Sequence, residues 1–293
     1  MSLMWWYAFV PALLNILIDT LYMLYQFFSF KRSPLFEDAP QSFLTEVIKD
    51  VLSFMSAHGN LWVPFIVTTL IILVLYMLLP TLCQGSLIQI IAKKHKGEES
   101  SPIDGISLGL IVFLPLLEYH LLIKGFSVIS VFTEAAFVLR NLGPGAMETL
   151  LPVFLSAAVI GFMLTLLFTY SEFFLVLHKK SILTSMMRSA KLVIVSWQHT
   201  FLIAILMLII GLRVLLNIFA VLLIPALLFF AGGFLAAAAL TKIGLVIGII
   251  LAIIVLFVAS YFTGILNLFA NTVWTYTFLE LMEEKKTQEL MGE

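Results

Sequence analysis

The chain has 293 residues, of which 62% are hydrophobic and only 11% charged, against about 25% charged in a soluble globular protein. No soluble fold of this length has an interior large enough for that much apolar surface, and 16 basic against 17 acidic residues leave no basic face that could follow nucleic-acid phosphates. Cys83 is the one cysteine, which excludes an intramolecular disulfide and a cysteine-rich metal site and leaves it as a small apolar packing residue.

The apolar runs are about 20 residues or longer, the length that a bilayer crossing demands. They predict one all-α integral membrane domain over 1–293, a polytopic transmembrane helical bundle of about six membrane helices with interfacial amphipathic helices between them. The first run starts at once, Met1-Ser-Leu-Met-Trp-Trp-Tyr, with neither the basic region nor the small-residue cleavage site of a signal peptide, so the first helix is expected to be retained. Membrane helices are predicted at 4–29, 61–92, 119–139, 149–177, 199–229 and 243–278, followed by a short cytoplasmic tail, 279–293. Pro80 and Pro225 are the expected kinks.

Between the spans, the segment 42–57 places Phe43, Leu44, Val47, Ile48, Val51, Leu52, Phe54 and Met55 at helical spacing opposite Glu46, Lys49, Asp50 and Ser53. The segment 181–197 likewise sets Ile182, Leu183, Met186, Met187, Ala190, Val193, Ile194 and Trp197 against Arg188, Ser189 and Lys191. Both read as helices lying in the interface. A third, 104–117, begins at Asp104 and has almost no polar face beyond Ser107. Lys93, Lys94, Lys96, Lys179, Lys180, Arg188, Lys191, Lys285 and Lys286 fall on one side of this arrangement, and only Lys31, Arg32, Lys49, Arg140 and Lys242 on the other. The excess predicts both termini in the cytoplasm. Helix 2 ends in Lys93-Lys-His-Lys and helix 4 in His178-Lys-Lys, each followed by an interfacial segment and a further membrane helix, a crude similarity of two hairpins.

The first membrane helix carries Asn15, Asp19, Tyr22 and Gln26 on one face. A carboxylate inside a bilayer is costly unless paired, and Arg213 in the fifth helix, with Asn217 one turn on, is the candidate partner. An Asp19–Arg213 pair would be a polar gate or a buried pair that fixes helix register. A second polar group, Glu118, His120, Lys124, Glu172, Asn267 and Asn271, lies toward the cytoplasmic half. These residues would line a hydrophilic cavity or supply interhelical hydrogen bonds and snorkelling side chains. Small residues recur every fourth position at Ala157, Gly161, Thr165 and Thr169, and at Gly244, Gly248, Ala252, Ser260 and Gly264 with Leu256 interrupting the row. Such rows let helix backbones approach closely in lipid.

Motifs for zinc hydrolysis, serine hydrolysis and phosphate cradling are absent. The five histidines are scattered, with no second histidine or carboxylate at metal-binding helical spacing. No catalytic residue, cofactor or metal is expected.

The stretch Tyr170-Ser-Glu-Phe-Phe-Leu-Val-Leu-His-Lys-Lys-Ser-Ile-Leu-Thr-Ser-Met-Met-Arg-Ser-Ala-Lys-Leu-Val, with Trp197 and a new apolar run after it, resembles the YciC-like bacterial polytopic proteins and the membrane domain attached to some glycerophosphodiester phosphodiesterases. Arg188, Ser189 and Leu192 occupy the pattern's positions, and Gln84-Gly-Ser-Leu-Ile-Gln-Ile-Ile-Ala is a fainter echo. The resemblance implies a bacterial inner membrane and the six-helix reading. It implies no activity, since the chain has no phosphodiesterase domain. The expected role is to bind or organise membrane lipids, other membrane proteins or further copies of itself, with a small-solute or lipid permease, or a permease subunit, as the alternative.

Overall fold

The computed structural model describes residues 4–31, 48–49, 51–53, 56–57, 59–98, 102–124, 128–212 and 241–291, and no strand occurs among them. The helices are α1 (Met4–Lys31), α2 (Trp62–His95), α3 (Pro102–Lys124), α4 (Val128–Leu142), α5 (Pro144–Leu167), α6 (Ser171–His178), α7 (Ile182–Val195), α8 (Trp197–Leu212) and α9 (Thr241–Met291). Among the described residues, five stretches are long and apolar enough to cross a membrane: Met4–Leu21, Trp62–His95, Asp104–Ile123, Pro144–His178 and Ile253–Glu284. The bent pair α7 and α8, meeting at 95°, brings the number to as many as six. The fold is an all-α bundle of a multi-pass membrane protein.

Two sequence expectations are corrected. The segment 104–117 is not a separate interfacial helix but most of α3, a 23-residue helix whose Ile106, Leu110, Ile111, Leu114, Leu121 and Leu122 are exposed as lipid-facing side chains would be. The span placed at 119–139 is divided between the end of α3 and α4, which has 15 residues and packs on α5. The missing polar face of 104–117 fits its place in Asp104–Ile123, a stretch long and apolar enough to cross a membrane. In 42–57, Ile48, Val51 and Leu52 are helical and exposed, and much of the rest lies outside the described residues. Pro80 lies inside α2; Pro225 lies outside the described residues.

Glycines set the closest helix crossings. α2 and α3 run antiparallel, Gly85 against Val112 and Gly109 against Leu82 and Ser86. A Cβ on Gly109 would stand 2.1 Å from Ser86 Oγ and 2.8 Å from the Leu82 carbonyl oxygen. α1 and α9 cross at Gly264, where a Cβ would meet the Phe9 backbone at 3.0 Å. Here two members of the expected small-residue row, Ser260 and Gly264, are buried. Ala8 of the same crossing packs with Leu87 and Ile91 of α2, beside Met4, Tyr7, Leu268 and Tyr276. The start of α1 and the later part of α9 thus lie at the end of the bundle where α2 terminates in Lys93 and Lys94.

The main core gathers Leu116 and Tyr119 of α3, Phe173 and Phe174 of α6, Leu192 and Val193 of α7, and Phe278 and Leu281 of α9 around fully buried Tyr170. Phe278 stacks on Phe173 with ring centroids 5.5 Å apart and meets Phe174 edge-on at 4.9 Å. Pairs of this geometry add to the stabilisation that burial alone supplies.

Candidate functional site

Residues 168–170 interrupt the apolar stretch between α5 and α6. A break inside a bilayer frees backbone groups that lipid cannot satisfy, so it persists only where protein groups take their place. Ser189 of α7 supplies both kinds of partner. Its hydroxyl donates to the Leu167 carbonyl at 2.7 Å and accepts the Tyr170 N–H at 3.0 Å. The Phe168 carbonyl accepts from Tyr119 Oη at 3.2 Å and from the Ser171 N–H at 3.0 Å. Tyr170 Oη meets Thr200 Oγ1 of α8 at 3.2 Å. The break is therefore held from α3, α7 and α8 together.

It also sets Glu172 in the first turn of α6, where free amides and the helix dipole favour a negative charge. The Glu172 carboxylate accepts from the Gln84 side-chain amide of α2, and its Oε1 lies 3.0 Å from His120 Nε2 of α3. His120 Nδ1 lies 3.3 Å from Thr81 Oγ1. The result is a hydrogen-bonded chain Thr81–His120–Glu172–Gln84 tying α2, α3 and α6, with His120 and Glu172 28% and 22% exposed at their side chains.

Beside this chain opens a cavity of about 480 Å³. Gln84, Glu172 and Asn271 give it a polar side; Ile123, Leu166, Phe168, Phe173, Met207 and Trp274 give it an apolar one. Its walls come from α2, α3, α5, α6, α8 and α9 and include Tyr119, Thr165, Thr169, Ala204 and Ala270.

Of the second polar group, the fold brings His120 and Glu172 together and puts Asn271 on the same cavity. Asn271 Nδ2 donates to the Asn267 carbonyl at 2.9 Å, whereas Asn267 and Glu118 are exposed. The Lys124 side chain lies outside the described residues. Of the first group, Asn15 is half-buried and Asp19 exposed. The side chains of Tyr22 and Gln26, and all of Arg213 and Asn217, lie outside the described residues, and so does the Asp19–Arg213 pairing. Gly161 is buried; Ala157, Thr165 and Thr169 are not, and the two threonines bond the carbonyls of Gly161 and Thr165, one turn back along the chain. The side-chain positions at Gly244, Gly248 and Ala252 are outside the described residues. Thr81 and Gln84 were missed in the sequence. A threonine and a glutamine one turn apart inside an apolar helix are the signal that could have marked them. Among the described residues no three His, Cys, Asp or Glu side chains converge as a metal site.

The His120–Glu172 contact predicts energetic coupling. In a double-mutant cycle of His120→Ala and Glu172→Ala, read by thermal unfolding in detergent, the two losses should fail to add by roughly 0.5–3 kcal/mol. Strict additivity would show that the contact contributes nothing.

No protein-family model matches the chain, and no curated protein or solved structure matches it at the threshold of significance.

Proposed function

We propose that this is a non-catalytic multi-pass membrane protein that binds a membrane lipid or similar amphiphile, serving as a scaffold or accessory component of the bilayer. The observation that carries the reading is the cavity, whose hydrogen-bonding side at Glu172, Gln84 and Asn271 adjoins an aromatic and aliphatic one. Ligand pockets combine these features, an apolar lining and a few fixed polar groups, in a volume of about 300–1,000 Å³. We place the end bearing Lys93, Lys94, Lys180 and Arg188 in the cytoplasm of a bacterial cell, and with it both termini.

Filling the cavity tests the reading. Ala204→Trp and Ala270→Trp enter it from α8 and α9, whereas Leu208→Trp places the same ring on an exposed face of α8. Lipid retained through purification, counted by native mass spectrometry, should fall severalfold in the first two variants and stay unchanged in the third. Equal retention in all three would refute it.

The hydrogen-bonded chain through His120 and Glu172 is the observation that favours a permease as the second reading, since linked polar groups inside a bilayer mark substrate or proton paths. Cysteines at 84 and 120, and along α1 at 15, 19 and 22, separate the two. Labelling from water at both groups of positions supports a path across the membrane, and complete protection supports a closed binding site.

A further inference from the structure

We propose that α7 lies flat in the membrane interface and binds an anionic phospholipid through a cluster of basic side chains on its outer edge, a site separate from the cavity and independent of what the cavity holds. The 95° corner between α7 and α8 is the first support. α8 runs alongside the bundle, lining the cavity with Ala204 and Met207 while Phe201, Leu202 and Leu208 stay exposed. A helix at right angles to it runs in the membrane plane. Trp197, 59% exposed, stands at the corner, where an amphipathic ring suits the headgroup level.

The two faces of α7 differ in their partners. Ser185, Ser189, Leu192 and Val193 are buried on the bundle. On the outer face, Leu183, Met187 and Ile194 are 71%, 73% and 65% exposed and form one stripe at helical spacing. Exposed Arg188 and Lys191 flank that stripe. Arg188 of α7, Lys180 of the α6–α7 connection and Lys96 of the turn after α2 all lie within electrostatic reach of the His178 ring. Ser181, at the N-cap of α7, has its hydroxyl 2.8 Å from that of Thr184 and makes no capping bond to the first-turn amides. Glu284 lines a pocket at the opposite end of α7, with Trp197 and His199.

Cations beside an exposed apolar stripe match one occupant, a lipid whose phosphate meets Arg188, Lys180 and Lys96 while its acyl chains cover Leu183 and Met187. A free phosphate would use the charges and leave the stripe bare.

The test is native mass spectrometry of the full-length protein in detergent titrated with phosphatidylglycerol or phosphatidylcholine of the same chain length. Phosphatidylglycerol should bind in preference, and Arg188→Gln/Lys191→Gln should lower that preference by about twenty-fivefold, each basic group near an anionic surface contributing roughly fivefold. Lys285→Gln/Lys286→Gln removes the same charge at the C-terminal end and should leave the preference intact. Thermal unfolding checks that both variants are folded; if the α7 variant is not, Leu183→Gln/Met187→Gln should weaken binding of phosphatidylglycerol in its place. An unchanged preference in folded α7 variants, or an equal loss in the C-terminal one, overturns the proposal. Displacement by inorganic phosphate as effective as by the lipid also overturns it, reassigning the cluster to a soluble anion.

Discussion

Replacing Gly109 by leucine is expected to separate α2 from α3 and to cost the protein more stability than any other single glycine substitution on these helices. Even alanine at 109 would bring its Cβ to 2.8 Å from the Leu82 carbonyl oxygen, a backbone atom that moves only if α2 moves. Its clash with Ser86 Oγ at 2.1 Å is less decisive, because a hydroxyl can rotate away, although doing so gives up the 2.9 Å bond that this hydroxyl donates to Leu82. In lipid no hydrophobic drive holds helices together, and lost packing is not recovered elsewhere. Overpacking of this kind costs roughly 1–3 kcal/mol, with Gly109→Leu at or above the upper end and Gly109→Ala toward the lower. Gly145→Ala is the comparison: nothing lies within 4 Å of the added Cβ, and its melting temperature in detergent should match the parent. A second change, Ser86→Gly, should recover part of the Gly109→Ala loss but not all of it, since the clash with Leu82 remains. If Gly109→Leu melts with the parent, α2 and α3 are not packed as described.

The same glycine shows where sequence reading stops. The run around Gly105 and Gly109 has almost no polar residue, and a search for amphipathic periodicity treats it as a poor interfacial helix. The spacing Gly105-x-x-x-Gly109, a small-residue pair one turn apart, was the signal for a tight membrane crossing. The class of the protein was legible because apolar length alone decides it: stretches of that length satisfy their backbones inside hydrocarbon only as helices. The polar residues were legible one by one, as groups too costly to face lipid. Their partnerships were not, for Glu172 meets His120 across 52 positions of chain and Gln84 across 88. No local pattern encodes a contact between three helices whose register is set by glycines elsewhere. Ser189 is intermediate: its place beside Arg188 and before Leu192 stood out, but its task at the α5–α6 break depends on α7 folding back onto that break.

That task makes Ser189 the second position of large expected effect. Ser189→Ala removes one oxygen and with it two hydrogen bonds, leaving the Tyr170 N–H and the Leu167 carbonyl without the partner that Ser189 gives them at a fully buried site. Each buried backbone group left unpaired costs roughly 1–3 kcal/mol, so with two such groups the substitution should remove about 2–6 kcal/mol. The loss should be local before it is global: amide exchange at 168–174 should accelerate, because the turn that positions Glu172 is no longer held to α7. Ser185→Ala is the matched control. Ser185 is just as buried, one turn earlier on the same face of α7, and its hydroxyl has no hydrogen-bond partner among the described residues. Removing it should be neutral or slightly stabilising, since an unpaired hydroxyl in an apolar site is itself unfavourable. Two alanines on one helix face, with equal burial and equal atoms lost, should therefore differ by several degrees in melting temperature, with Ser189→Ala the lower. Equal effects would mean that the break is held by packing around Tyr170 and Phe278 rather than by the Ser189 hydroxyl, and Glu172 would then owe its position to the aromatic core alone.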